Sequence, residues 1–463
     1  MVFSSLMFMC IFLPIVLIAY NLSKSLTYKN LILVIVSLFF YAWGEPVWVI
    51  LLIFSAFVDY INGIIIDKCY ARPGATIALV SSLVINLGLL GLFKYSGFFI
   101  ENINSIFHTA IPNPGFSLPI GISFYTFQTL SYTIDMYRGK ARVQKSFLGF
   151  LAYVSMFPQL VAGPIVRYTD VARELTDRHI TVEGFSYGVK RFTAGMCKKV
   201  ILANSTGAAA SMILDSTRLT VASSWLGILL YTFQIYFDFS GYSDMAIGLG
   251  RMLGFKFVEN FNYPYVSRSI TEFWRRWHIS LSTFFRDYVY IPLGGNRYKP
   301  IRNIFIVWIL TGFWHGASWN FVLWGLFYGI LLFFEKTLFK QRLQKIPPPF
   351  CHIYTMFFVM VGWGLFYFTD TNSLITFFKS AFGMNETPLY DLTFVSSFFT
   401  NIWLIILCII ASTPIPSNIY NFLCRKSNIF EAITMPLLVI FGLGVCFILL
   451  VGQTYNPFLY FRF

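Results

Sequence analysis

Long apolar runs broken at short intervals by charged or proline-bearing turns dominate the chain, near 5–21, 30–43, 47–66, 75–93, 119–137, 147–165, 222–249, 301–335, 351–369, 401–413 and 432–451. A helix crossing about 30 Å of hydrocarbon needs about 20 such residues, so the pattern predicts an all-α polytopic membrane protein with about 11 to 13 membrane segments. Several runs are short or interrupted, which predicts that some helices are tilted, re-entrant or buried among the others. The prolines of Ile346-Pro-Pro-Pro-Phe350 and Thr413-Pro-Ile-Pro416 mark breaks between spans, because proline cannot continue a helix with its backbone bonds intact. No linker, low-complexity tract or fixed-period repeat divides the chain. A single membrane-embedded domain over 1–463 is expected, with its chemistry concentrated at about 184–335.

Composition agrees: 57% of the residues are hydrophobic and only 12% charged, against roughly 25% charged in a soluble domain. The first charge is Lys24, so no basic n-region precedes the first apolar run and that segment is expected to be retained. Lys24 and Lys29, then Lys68 and Arg72, then Lys336, Lys340, Arg342 and Lys345, then Arg425 and Lys426 fall in separate turns. The positive-inside rule makes those turns cytoplasmic and the N-terminus extracytoplasmic. The net charge of +14 is dispersed beside apolar spans, where anionic lipid headgroups attract each Lys or Arg by about 1 kcal/mol. Nucleic acid is therefore excluded as a partner and membrane lipid is expected. The seven cysteines show no CxxC pair and are read as small buried hydrophobes, neither a disulfide framework nor a metal site.

The middle third is chemically different. Lys190, Arg191, Lys198 and Lys199 are spaced to form one face of an amphipathic helix, either an interfacial one touching phospholipid or one that holds an anionic cofactor. Gln234, Asp238, Ser240, Ser243 and Asp244 follow, then Glu272, Arg275, Arg276, Arg286 and Asp287. Such groups must line a polar cavity or lie at the interface, since lipid cannot solvate them. Asp238 and Asp244 fall on different sides of a helix and are read as packing or orienting groups. Arg275 and Arg276 are candidates for binding an anionic substrate group, or for neutralising Glu272 and Asp287.

Two of the five histidines, His278 and His315, fall within 184–335. Ionisable groups at bilayer depth are costly and carry function by default. His278 lies in Thr271-Glu-Phe-Trp-Arg-Arg-Trp-His-Ile-Ser280. If 271–284 is helical, Trp274 is one turn before it and Ser282 one turn after, and Glu272 can pair with Arg275 or Arg276. His315 lies in Gly312-Phe-Trp-His-Gly-Ala-Ser-Trp-Asn320. Gly312 and Gly316 either leave room for a ligand beside it or pack two helices together. An apolar setting favours the neutral imidazole that a general base requires. Neither histidine has the H-E-x-x-H or Cys/His spacing of zinc, so no metal is expected. Trp274, Trp277, Trp308, Trp314, Trp319 and Trp324 are read chiefly as packing and interface anchors, with one or two lining a tunnel.

Phe273-Trp-Arg-Arg-Trp-His278, Tyr290-Ile-Pro-Leu-Gly-Gly295 and Phe313-Trp-His-Gly-Ala-Ser-Trp-Asn320 carry a resemblance. Leu118-Pro-Ile-Gly-Ile-Ser-Phe-Tyr125, Phe157-Pro-Gln-Leu-Val-Ala-Gly-Pro164, Tyr236-Phe-Asp-Phe-Ser-Gly-Tyr-Ser-Asp244 and Tyr455-Asn-Pro-Phe-Leu-Tyr460 agree with it. The chain resembles the membrane-bound O-acyltransferase family, in the bacterial branch of alginate and peptidoglycan O-acetyltransferases. The resemblance implies a ring of tilted and re-entrant helices around a central funnel. It also implies a bacterial inner-membrane enzyme that takes an acyl group from a cytoplasmic donor to the outer side. His315 matches the histidine regarded as essential in the family, and His278 a second histidine of the branch.

Transfer from a thioester such as acetyl-CoA needs a base at the acceptor hydroxyl and a hydrogen-bond donor for the developing oxyanion. A placed base is worth about 10²- to 10⁴-fold, and one oxyanion donor roughly 3 kcal/mol. His315 is the expected base and His278 the favoured donor, with Asn320 and Trp314 as alternatives. Trp274, Arg275 and Arg276 complete the expected substrate-binding set. No permanently bound cofactor is expected, acetyl-CoA or another thioester being a substrate. The acceptor is an extracytoplasmic polysaccharide, reached through an SGNH or serine-hydrolase-like partner, no nucleophile elbow being expected within the chain. The alternatives are D-alanyl transfer to teichoic acid from a carrier protein, and a transporter or flippase, which predicts inverted repeats.

Overall fold

The computed structural model describes residues 1–160, 163–216, 218–339, 345–384, 386–452 and 458–459. Lys340 and Arg342 of the expected basic turn, Val161 and Ala162, and most of the closing motif (Tyr455, Asn456, Pro457 and Tyr460) lie outside them. All the regular secondary structure of the described residues is helical, with no strand. They form two compact units, Met1–Phe192 with Tyr242–Val258, and Thr193–Gly241 with Glu259–Phe463.

In the first unit, Val49–Lys68, Pro73–Leu90 and Ile122–Tyr137 pack against one another. Their shared seam is polar. Asp59 is fully buried, accepting from Ser82 Oγ at 2.5 Å and Asn86 Nδ2 at 2.8 Å, while Ser55 Oγ donates to Asn86 Oδ1 at 2.6 Å. Each group is matched, as buried polar groups must be where no water competes. Phe3, Phe8, Phe12, Phe40 and Phe157 fill the adjoining core with ring centroids 5.0–6.3 Å apart. Arg191 donates to Asp244 Oδ1 through Nε at 2.9 Å and meets it again through Nη2 at 2.7 Å.

The second unit is built on an antiparallel hairpin, Pro300–His315 and Trp319–Thr337, packed against Pro348–Tyr367. Gly312 and Gly325 let the hairpin close. A methyl at Gly312 would strike the Phe321 carbonyl, and one at Gly325 the Trp308 carbonyl. The helix-packing reading of Gly312 is the one realised, and the space beside Gly316 is taken by the Phe321 ring. Lys199 sits in a π-helical turn, Lys198–Ala203, with its Nζ 2.5 Å from Asp238 Oδ1, both side chains buried. The single basic interfacial face expected for Lys190, Arg191, Lys198 and Lys199 is thus not formed. Arg191 and Lys199 turn instead to buried carboxylates, because an unpaired buried charge costs more than any lipid contact returns.

Among the described residues, five helices are long and apolar enough to cross a membrane: Val49–Lys68, Pro73–Phe107, Pro348–Tyr367, Leu392–Ala411 and Ile429–Val451. Phe8–Asn21 and Leu26–Ala42 are shorter and apolar. The runs at 119–137 and 222–249 form Ile122–Tyr137 and Val221–Met252, which carry hydroxyl, amide and carboxylate groups and are buried along nearly their whole length. Protein, not lipid, is their solvent, so they need not be apolar. The run at 301–335 is two helices, and that at 147–165 yields, among the described residues, Phe147–Ser155 and the single turn Phe157–Leu160. Large apolar side chains stand exposed on Leu392–Ala411 and Ile429–Val451, among them Trp403, Phe441 and Ile448, the signature of a lipid-facing surface.

Candidate active site

Two short helices, Ile270–Arg276 and Ile279–Phe285, replace the single helix expected over 271–284. The chain breaks because Trp277 is extended (φ −98°, ψ 130°) and His278 left-handed (φ 44°, ψ 55°). For a residue with a Cβ that conformation stores about 1–3 kcal/mol and persists only where neighbours enforce it. Asn260 does so: its backbone carbonyl accepts from Ile279 N at 2.9 Å. Its side-chain Oδ1 accepts from Ser280 Oγ at 2.9 Å and Ser280 N at 3.3 Å, and lies 3.0 Å from His278 Nδ1. Ser282 spans the break by donating to the Trp274 carbonyl at 3.2 Å.

The other end of this segment is held by Glu335. Its carboxylate accepts from Ile270 N at 2.6 Å, Thr271 N at 2.8 Å and Thr271 Oγ1 at 2.6 Å. A negative group at a helix N-terminus satisfies donors the helix itself leaves open.

His278 is 1% exposed and His315 5%. His278 packs on Phe239 and Trp314, with centroids 4.7 and 5.9 Å away. Burial pushes its imidazole well below the usual histidine range, which favours the neutral ring. Nε2 is buried and has no hydrogen-bond partner among the described residues. His315 ends the Pro300–His315 helix, where Gly316 turns extended (φ −171°). Its ring lies 5.0 Å from Trp314, 4.9 Å from Trp324 and 5.3 Å from Phe366. The two imidazoles, distant in sequence, therefore share one neighbour, the Trp314 indole.

Beside His315 stands an aromatic box. Trp274 lies 4.7 Å from Trp308, 5.5 Å from Trp324 and 4.8 Å from Tyr328, and Trp324 is 5.1 Å from Tyr328. The Nε1 groups of Trp274 and Trp324 and the Tyr328 hydroxyl are buried without a hydrogen-bond partner among the described residues. Buried donors left open in this way are rare and suit a ligand carbonyl.

Of the remaining candidates, Asn320 is buried in the first turn of Trp319–Thr337, accepting from Ser318 Oγ and donating to the Leu365 carbonyl at 3.3 Å. Arg276 is committed to Glu272, with Nε 2.9 Å from Oε1, and to the Asn262 carbonyl at 3.1 Å. Arg275 is exposed. Gly184-Phe-Ser-Tyr-Gly188 does spell G-x-S-x-G, contrary to the expectation that none occurs, but it lies inside the helix Val182–Cys197 with Ser186 exposed and no strand before it. It is no nucleophile elbow. Sequence reasoning missed Asn260 and Glu335. A carboxylate in the apolar run at 301–335 was a readable signal for Glu335, whereas nothing in the spacing marks Asn260.

The membrane-bound O-acyltransferase family model matches residues 121–378, which hold both histidines. The chain is 42% identical over 400 residues to the probable alginate O-acetylase of Pseudomonas aeruginosa, covering 85% of this chain and 77% of that one. It is 34% identical over 440 residues to a peptidoglycan O-acetyltransferase of Helicobacter pylori, covering 87% and 83%. Similarity to a teichoic acid D-alanyltransferase of Streptococcus thermophilus is 32% over 246 residues, covering 48% and 58%. A multi-pass chain with two buried histidines, matched by the family model across this region, belongs to the membrane-bound O-acyltransferase family and is an acyltransferase.

Proposed function

We propose that the enzyme moves an acetyl group from a cytoplasmic thioester, acetyl-CoA or a close equivalent, to hydroxyls of an extracytoplasmic polysaccharide. His278 and His315 carry the proton transfer and the polarisation of the carbonyl, His315 being the base read from sequence. Trp314, Asn320 and Trp274 form the walls of the site, and Arg275 meets the anionic part of the donor. The protein sits in a bacterial inner membrane with its N-terminus outside and hands the acyl group to a serine-hydrolase-like partner. The observation that carries this reading is the convergence of two buried imidazoles on Trp314, next to open indole and phenol donors.

Chemically the site suits a substrate that is already activated. A thioester carbonyl needs a neutral base and fixed donors in a dry enclosure. Acetyl is favoured over D-alanyl because the alginate and peptidoglycan O-acetyltransferases match over most of their length and the teichoic acid enzymes over a shorter part. The test is membrane vesicles carrying the full chain, given acetyl-CoA labelled in the acetyl group. Label appearing in extracytoplasmic polysaccharide is expected. Label that moves only from a D-alanyl carrier protein would transfer the assignment to the second chemistry, and solute flux without thioester consumption would make the protein a transporter.

A further inference from the structure

We infer that Asn260 is a positioning residue that holds His278 with its proton on Nδ1, so that Nε2 presents a lone pair and His278 accepts a proton in acyl transfer. This rests on the acyl-transfer reading and deepens it, replacing the oxyanion-donor role expected of His278 from sequence.

The amide of Asn260 has a defined orientation. The atom facing Ser280 receives a backbone N–H at 3.3 Å. A backbone N–H can only donate, so that atom is the carbonyl oxygen and not the NH₂ group. The same oxygen lies 3.0 Å from His278 Nδ1. An oxygen with no hydrogen accepts only, and the contact is a hydrogen bond only if Nδ1 carries the proton. In a neutral imidazole one nitrogen donates and the other accepts, which leaves Nε2 without a hydrogen. That nitrogen is buried and open among the described residues. The ring cannot rotate away, because Phe239 and Trp314 flank it and its backbone is pinned by the Asn260 carbonyl through Ile279 N at 2.9 Å.

A neutral His278 so held cannot donate to an oxyanion. It can take the hydroxyl proton of the acceptor onto Nε2 as the oxygen–carbon bond forms. It returns that proton to the sulfur as the carbon–sulfur bond breaks, so thioester and alcohol become ester and thiol with no net proton change. The base role read for His315 thereby passes to His278, and the oxyanion falls to donors elsewhere in the unit: His315, whose ring lies 4.9 Å from Trp324, with the open Nε1 groups of Trp274 and Trp324 and the Tyr328 hydroxyl.

Charged and titratable groups on the packed elements are few. Glu272, Arg275 and Arg276 precede His278 on the Ile270–Arg276 helix, and Arg276 is paired with Glu272. Glu259 adjoins Asn260, Asp238 adjoins Phe239 and is paired with Lys199, and His315 adjoins Trp314.

The test compares Asn260→Leu and Asn260→Asp in membranes, using labelled acetyl-CoA as donor across a pH series. Asn260→Leu removes the acceptor and should lower transfer on the order of 10²-fold, the size of a general-base contribution, with the protein still present in the membrane. Asn260→Asp keeps an acceptor for Nδ1–H and should restore most of the lost rate. Its negative charge stabilises the imidazolium, which raises the histidine pKa by about one unit or more. A base must be deprotonated to act, so the acidic limb of the pH–rate profile should move to higher pH. An Asn260→Asp enzyme that is abundant but inactive, or whose profile superimposes on wild type, overturns the inference, as does a fully active Asn260→Leu. Absence of transfer by the wild-type chain is a different result: it removes the acyl-transfer reading itself.

Discussion

Lys199 Nζ lies 2.5 Å from Asp238 Oδ1, both groups being buried, and the second oxygen of Asp238 accepts from Leu459 N at 2.7 Å. The pair ties a π-helical turn to the Val221–Met252 helix within the second unit. Breaking such a pair from one side strands a charge. Lys199→Met or Asp238→Asn should destabilise the protein by about 3–5 kcal/mol, and the double variant Lys199→Met/Asp238→Leu should recover much of that loss. Thermal melting in detergent, followed by tryptophan fluorescence, measures all three.

Glu335 should matter through geometry and not through contact with substrate. Its three hydrogen bonds hold the start of the helix that leads to Trp274 and His278. Charge-assisted bonds of this kind are worth about 1.5–3 kcal/mol each, so Glu335→Ala should lower both melting temperature and transfer rate. Glu335→Gln retains one acceptor oxygen and should fall between. Equal loss in the two variants would show that charge, not the hydrogen-bond pattern, is what the helix needs.

Gly312 has no room for a side chain, since an added methyl meets the Phe321 carbonyl. Gly312→Ala should push the hairpin helices apart and shift His315, costing about 1–3 kcal/mol in stability together with a larger loss of activity than that destabilisation explains. Activity and melting measured on one preparation separate the two effects.

Arg275 and Arg276 should respond differently. Arg276 is held by Glu272 and the Asn262 carbonyl, so Arg276→Gln should reduce stability. Arg275 is exposed, and Arg275→Gln should raise KM for acetyl-CoA about tenfold, a cost of about 1.4 kcal/mol, at nearly constant kcat. An unchanged KM would remove Arg275 from donor binding.

The membrane class was legible because 20-residue apolar runs have few other uses, and the two histidines because an ionisable ring in such a chain is conspicuous. Helix count was less legible. Ile122–Tyr137 and Val221–Met252 mix polar and apolar residues on every side, and their burial depends on neighbours that hydropathy does not see. The break at Trp277–His278 was hidden for a similar reason. Nothing local forbids a helix over 271–284, and the bend is imposed by Asn260, 18 residues upstream of His278. Lys199 misled because basic residues at helical spacing read equally well as a lipid-facing stripe or as partners for carboxylates on another helix. Only the fold brings Asp238 to it.

Two buried imidazoles are proposed to serve one acyl transfer. Transfer of labelled acetyl from acetyl-CoA to extracytoplasmic polysaccharide, in membranes carrying wild type, His278→Ala or His315→Ala at matched protein levels, tests it most directly. Each single variant should lose about 10²- to 10⁴-fold in rate, and the double variant should be little worse than the weaker single one, as expected of residues that act as a unit. Undiminished transfer by either variant contradicts the account.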